Sequence, residues 1–241
     1  MRRAPLAVAL LALAGVVAAT SASPARAERR RMPPPGTGTA NPSALVATEI
    51  AFARMAREKG QWTAFREYAD EEAVMFAPGP VIARDWLKGR KDPPRPVQWQ
   101  PHQVWMSCDG TLGVTKGAWQ RPDGSTGYFT TIWKRQKKGT FRWVLDQGDA
   151  LAQPLEAPEM LSASVADCPS RRDGPPPGSE GAIVVETARV ARPQGSGRSD
   201  DGTLTWSYAV APDNSRKIMV SLRKGGDMRE VLALDVAAGG R

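Results

Sequence analysis

Residues 127–149, GYFTTIWKRQKKGTFRWVLDQGD, constrain the chain most. Two aromatic-rich apolar runs flank the polar stretch QKKGT, the pattern of a β-hairpin with a loop of three to five residues. With Arg135 opposite Phe141, side-chain alternation places Phe129, Thr131, Trp133, Phe141, Trp143 and Leu145 on one face. Tyr128, Thr130, Ile132, Lys134, Arg142, Val144 and Asp146 fall on the other. The first face reads as the wall of a core. The second carries Tyr128, Ile132 and Val144 together, and these need a cover.

The hairpin closes a longer β pattern. From Val97 the chain runs VQWQPHQVWMSC, a turn at Asp109 and Gly110, TLGVTKGAWQ, the turn RPDGST, and then the hairpin. Runs of strand length separated by Gly with Asp, Pro or Lys describe an antiparallel meander. Pro101 cannot donate to a ladder and marks an edge or a bulge. Upstream, Asn41 and Pro42 open a helix that stops at Gly60. Residues 61–69 predict a second helix turning Trp62 and Phe65 inward, residues 73–76 a short strand, and 85–89 a helical turn anchored by Trp86. Helices followed by a bent antiparallel sheet make an α+β domain with the helices on one sheet face.

In that order of elements, TEIAFARMAREKGQWTAFREYADEEAVMFAPG followed by the hairpin resembles the nuclear transport factor 2-like superfamily, with its ketosteroid isomerase-like and SnoaL-like members. The resemblance covers residues 43–150. It implies a cone-shaped fold, helices on a curved antiparallel sheet, with a conical pocket between them. It also implies an outer sheet face that members often bury in a homodimer. It does not specify an activity, because the superfamily hosts enzymes and binding modules alike.

The termini add a compartment and an extension. Arg2 and Arg3 precede an apolar run over 4–19, and Ala25, Arg26 and Ala27 supply a small-residue cleavage site, so residues 1–27 read as a signal peptide. Export to the periplasm or the extracellular space follows, with no membrane span after cleavage. Cleavage takes three of the eight net positive charges and no acidic residue, leaving +5. The remaining basic residues are dispersed and give no nucleic-acid patch. Residues 28–42 read as a flexible leader, 43–168 as the main domain, 169–181 as a linker, and 182–241 as a small β-rich extension. Within the extension, strands are expected at 182–192, 203–211, 216–224 and 228–237, and a short helix before it, within 151–168. So small a meander must pack on something. It, or a second copy of the chain, is the expected cover for the hairpin's second face. Two cysteines in an exported chain favour an intramolecular disulfide, Cys108 to Cys168, over free or intermolecular thiols.

Few residues can do chemistry. Glu49 lies on or beside the apolar stripe of the first helix, where burial raises a carboxyl pKa; it is either a general base or a structural carboxylate bonded to a backbone amide or to Arg54 or Arg66. His102, the one histidine, is either an assisting base or a solvated edge imidazole. Asp146 ends the last strand, where a pocket acid would stand, but alternation puts it on one face with Lys134 and Arg142, and it reads as an ion-pair partner. No ligand spacing suits a metal, and no motif calls for a cofactor. Phe52, Trp105, Trp119, Phe129, Trp133 and Trp143 supply aromatic walls that either fill a core or line a pocket for a small apolar ligand. The reading is an exported protein binding such a ligand. The alternatives are an isomerase- or dehydratase-like enzyme with Glu49 as general base, and an interaction module using the C-terminal β extension.

Overall fold

Asn41 opens the first helix by accepting the Ala44 N–H on its Oδ1 at 3.1 Å, and Pro42 occupies the first turn, where no N–H is needed. The computed structural model describes residues 39–169 and 191–238, all within one unit, Pro33–Arg241. The expected signal peptide, most of the leader, and residues 170–190 of the linker and first extension strand lie outside the described residues. Helix α1 (Pro42–Lys59) ends at Gly60, and α2 (Gln61–Tyr68) follows at once. Gly60 has φ +114°, and a Cβ there would meet the Asp92 carboxylate at 2.3 Å. Strand β1 (Ala69–Phe76) starts four residues before the expected strand; β2 (Pro80–Ile82) and the short helix α3 (Ala83–Leu87) come next.

The meander is present as β3 (Gln98–Met106), β4 (Leu112–Gln120), β5 (Thr126–Arg135) and β6 (Phe141–Leu151). Where a short helix was expected within 151–168, the chain forms strand β7 (Ser162–Val165), parallel to β3. The seven strands take the order β2-β1-β6-β5-β4-β3-β7, with β1 also parallel to β6. Helices α1 and α2 cover one face, over a core that includes Leu45, Phe52, Val104, Met106, Trp133 and Trp143.

Two bulges decide what each face carries. Arg135 pairs with Phe141 as the hairpin pattern predicts, and the register holds as far as Trp133 opposite Trp143. Ile132 then pairs with Leu145, so Val144 is an extra residue. Beyond it every β6 side chain changes face. Leu145 joins Ile132 on the outer face, and Asp146 pairs with Thr131 on the inner face. The expected placement of these two residues is therefore reversed. In β3, Pro101 pairs with Gly117 and Gln103 with Lys116, which leaves His102 as the extra residue. Val104 and Met106 consequently face the helices while Trp105 turns outward.

Strands β8 (Gln194–Arg198), β9 (Leu204–Val210), β10 (Arg216–Lys224) and β11 (Asp227–Val236) form a second antiparallel sheet, ordered β11-β10-β9-β8. Leu204, Ile218, Val220, Leu222 and Leu232 pack against Trp105, Leu112, Val114, Ile132 and Leu145. The chain's own meander thus buries the outer face, and a second copy is not needed to do so. Cys108 and Cys168 form a disulfide, with Cα atoms 5.1 Å apart, that closes a loop of 60 residues at the edge of this core. A loop of that length is worth about 4 kcal/mol in the chain-entropy account.

The two sheets also meet through a pair of matching turns. The sequence S-x-D-G-T-L occurs at 107–112 and again at 199–204. In each turn the Asp Oδ1 accepts from the Ser hydroxyl and from the Thr N–H and hydroxyl: Asp109 from Ser107 and Thr111, Asp201 from Ser199 and Thr203. Gly110 (φ +65°) and Gly202 (φ +70°) supply the left-handed residue that the turn requires. The pair is reciprocal: the Asp109 N–H donates to Asp201 Oδ2 at 2.8 Å, and the Asp201 N–H donates to Asp109 Oδ2 at 2.9 Å. The resemblance extends to the next turns, Pro122-Asp123-Gly124-Ser125 and Pro212-Asp213-Asn214-Ser215, each with Asp Oδ1 accepting from the Ser N–H and hydroxyl. Replacing Asp109 or Asp201 by Ala should each destabilise the protein by about 1–3 kcal/mol. In urea denaturation the two losses should couple by about 1 kcal/mol or more in a double-mutant cycle.

Candidate functional site

The Val144 bulge places one carboxylate in the wall of a cavity. The cavity, about 190 Å³, lies where α1 and α2 face the inner side of the sheet, and Phe52, Trp62, Phe65, Trp99, Trp119 and Phe129 supply its aromatic walls. Met75, Phe76 and Val97 add aliphatic and aromatic surface, and Gln61, Arg121, Thr131, Asp146, Gln147, Gly148 and Arg216 are its polar lining. The volume falls below the roughly 300 Å³ at which drug-sized sites begin, and it suits a compact ligand.

The walls are held by their neighbours. Phe52 packs on Phe65 (ring centroids 4.9 Å) and edge-on to Trp99 (4.8 Å), while Trp62 stands edge-on to Trp86 at 5.5 Å. Trp119 donates its indole N–H to the Tyr128 carbonyl at 2.8 Å. It can lie there because Gly127 has no side chain, and a Cβ at that position would meet the indole at 2.3 Å.

Asp146 accepts the Thr131 hydroxyl on Oδ1 at 2.7 Å; Oδ2 has no hydrogen bond among the described residues. Burial raises its pKa to about 6, and the Thr131 bond opposes that rise. Glu49 sits deeper, fully buried and outside the cavity lining. Its Oε2 accepts from Thr115 Oγ1 at 2.6 Å and Trp133 Nε1 at 3.1 Å, and its Oε1 accepts from Trp99 Nε1 at 2.7 Å. Burial lifts its pKa to about 7, with the nearby Asp146 charge adding to the rise and the Thr115, Trp99 and Trp133 bonds opposing it. The anticipated partners are engaged elsewhere. Arg54 lies 4.0 Å from Glu58, and Arg66 donates to the Leu87 carbonyl and to Thr63.

The structure does not bring His102 to Glu49. The imidazole is buried at the β3 bulge with Gln100 Nε2 3.5 Å away, outside the cavity, and burial lowers its pKa. It is not the solvated edge group that Pro101 suggested. Of the six aromatic residues singled out in the sequence, Phe52, Trp119 and Phe129 line the cavity. Trp133 and Trp143 are buried in the helix-side core behind it, and Trp105 lies on the opposite face under the second sheet. Arg216 escapes a sequence reading, and strict alternation turns Asp146 away from the pocket although it ends the last strand; the unbroken apolar run Trp143-Val144-Leu145, which a strictly alternating strand would not favour, hints at the bulge. Among the described residues, no group of three His, Cys, Asp or Glu could hold a metal, and no helix is long and apolar enough to cross a membrane.

No protein-family model and no curated protein matches the sequence. Solved structures similar to it include a candidate ketosteroid isomerase from Parabacteroides distasonis (14% identity, 43% of this chain and 86% of that one, TM-score 0.37). Another is an NTF2-like protein of unknown function from Mesorhizobium loti (14% identity, 46% and 93%, TM-score 0.31). A third is the CaMKII hub of S. rosetta (14% identity, 46% and 98%, TM-score 0.36). The described architecture is an α+β fold, with helices on one face of a seven-stranded mixed sheet and a second, four-stranded sheet formed by the C-terminal strands.

Both buried carboxyls bind protons more tightly folded than unfolded, so their contribution to stability is fully present below the unfolded pKa and lost as pH rises through the folded value. For Asp146 that window runs from the unfolded value of 3.8 to about 6. Asp146→Asn removes the ionisation while keeping an acceptor for Thr131. In chemical denaturation followed against pH, the variant should gain on the wild type across this window and be more stable at neutral pH by up to about 3 kcal/mol.

Proposed function

We propose that the protein is exported and binds a compact, largely apolar small molecule in the cavity between its helices and sheet. The supporting observation is that the aromatic walls leave an open space with one buried carboxylate, Asp146, on its surface. Filling such a space with side chains would have been the cheaper way to stabilise the core. A disulfide agrees with an oxidising compartment. A thermal-shift screen with one- and two-ring compounds should find ligands that raise the midpoint by several degrees, as binding to the folded state alone requires. If no compound moves the midpoint, the binding reading fails.

One observation favours a second reading, proton-transfer catalysis of the isomerase or dehydratase kind. Asp146 presents an oxygen without a hydrogen-bond partner to the cavity, and its pKa of about 6 suits a general acid or base near neutrality. It replaces Glu49 as the candidate base, since both Glu49 oxygens are engaged and neither faces the cavity. Under this reading, compounds found in the screen are turned over. Asp146→Asn should then lower turnover by about 100-fold or more while leaving affinity within about threefold. Binding without conversion by the wild type would leave the first reading alone.

A further inference from the structure

The second sheet contributes more than a cover: it places a cation at the cavity. Strand β1 pairs with β6 only as far as Val74 opposite Leu145, so β6 has no β1 partner alongside Asp146, Gln147 and Gly148. Arg216, the first residue of β10, reaches this part of β6 and lines the cavity together with Phe76 and Gln147. The guanidinium is fixed from several sides. Its Nε and Nη2 donate to Gln147 Oε1 at 2.9 and 2.7 Å, Nη2 also donates to the Gly148 carbonyl at 3.1 Å, and its carbon lies 4.7 Å from the Phe76 ring centroid. Gln147 is oriented in turn by donating its Nε2 to the Tyr128 hydroxyl at 3.3 Å.

Every one of these acceptors is neutral. Arg216 is only 4% exposed, yet among the described residues no carboxylate lies within salt-bridge distance and Nη1 has no hydrogen bond. Asp149 acts on it only through space, and burial draws its pKa down from the usual arginine value. A buried cation without a counter-charge is costly, and a guanidinium held by two of its nitrogens with the third unused is preorganised for a carboxylate. A second cation lines the cavity: Arg121 stacks on Trp119 at 4.6 Å, so two arginines accompany the one acid of the lining, Asp146.

We propose that the ligand carries a carboxylate on its compact apolar body and that Arg216 binds this carboxylate through Nη1. The inference rests on the cavity-binding reading and adds the ligand's charge. The C-terminal extension is then part of the binding site and sets its specificity. The site has a polar pole at Arg216 and an aromatic body formed by Phe52, Phe65, Trp99 and Phe129.

Isothermal titration of the full protein with phenylacetate, phenylacetamide and 2-phenylethanol tests the proposal. A charge-assisted pair should make phenylacetate bind about 10-fold or more tighter than the two neutral probes. Arg216→Gln should abolish that preference while leaving the neutral probes within about threefold of their wild-type affinity. Arg216→Lys, which keeps the charge but loses the fork, should fall between. Equal binding of all three probes to the wild type would overturn the carboxylate assignment and leave the cavity reading standing. So would a preference that survives in Arg216→Gln. If none of the three binds at about 10 mM, the cavity reading itself fails and this inference with it. Should Arg216→Gln not fold, the comparison of probes on the wild-type protein decides.

Discussion

A sheet that is apolar on both faces has no stable state until both are covered, and the pairing of β5 with β6 imposes that condition here. Trp133 and Trp143 press on one side, Ile132 and Leu145 on the other, and all four are fully buried. Helices α1 and α2 satisfy the first side, whereas the second sheet satisfies the other. Each cover depends on the sheet as much as the sheet depends on it. The meander β8–β11 is too small to enclose a core alone, so it contributes one wall of a shared core and takes the other from β3–β6. The disulfide and the reciprocal Asp109–Asp201 turns hold one edge of this contact, and the clamp of Arg216 on Gln147 and Gly148 ties β10 to β6 at another position.

The same sheet carries the site, and one inserted residue creates it. Without the extra Val144, Asp146 would point to the outer face among Ile132 and the second sheet, where its charge would meet apolar side chains. With it, Asp146 enters the cavity and bonds to Thr131. Glu49 and Asp146 then form a buried acidic pair of unlike character. Glu49 has three donors and is sequestered, while Asp146 has one and faces open space. A fully hydrogen-bonded carboxylate organises the indoles of Trp99 and Trp133, which makes Glu49 a support for the cavity wall. A partly satisfied one remains available to a ligand. Burial raises the Asp146 pKa, so the folded environment disfavours its ionised form.

Much of the fold could be read directly from residues. Asn41 and Pro42 fix the start of α1, Gly60 fixes its end, and Gly with Asp or Lys marks the turns of the meander. The repeated S-x-D-G-T-L turns are equally visible in the chain. The internal hydrogen bonds they share come from local chemistry, since the Asp side chain satisfies a backbone N–H two residues away. Their reciprocal contact is not local. It forms between residues 92 positions apart, and no spacing rule reaches that far.

The sequence by itself determined the elements, the aromatic wealth of the inner face, the need for a cover on the outer face, and a resemblance of fold. Tertiary structure decided which residues form the site. The period-two rule that assigns side chains to faces is local and fails by one full face at each bulge, which is why Asp146, Leu145 and Trp105 stand opposite to simple alternation. Whether a bulge forms depends on how a strand fits its neighbours, a property of the assembled sheet. Arg216 shows the same limit from another direction. Nothing around it in sequence suggests a ligand contact, and it joins the cavity only because the second sheet packs where the first one needs a cover.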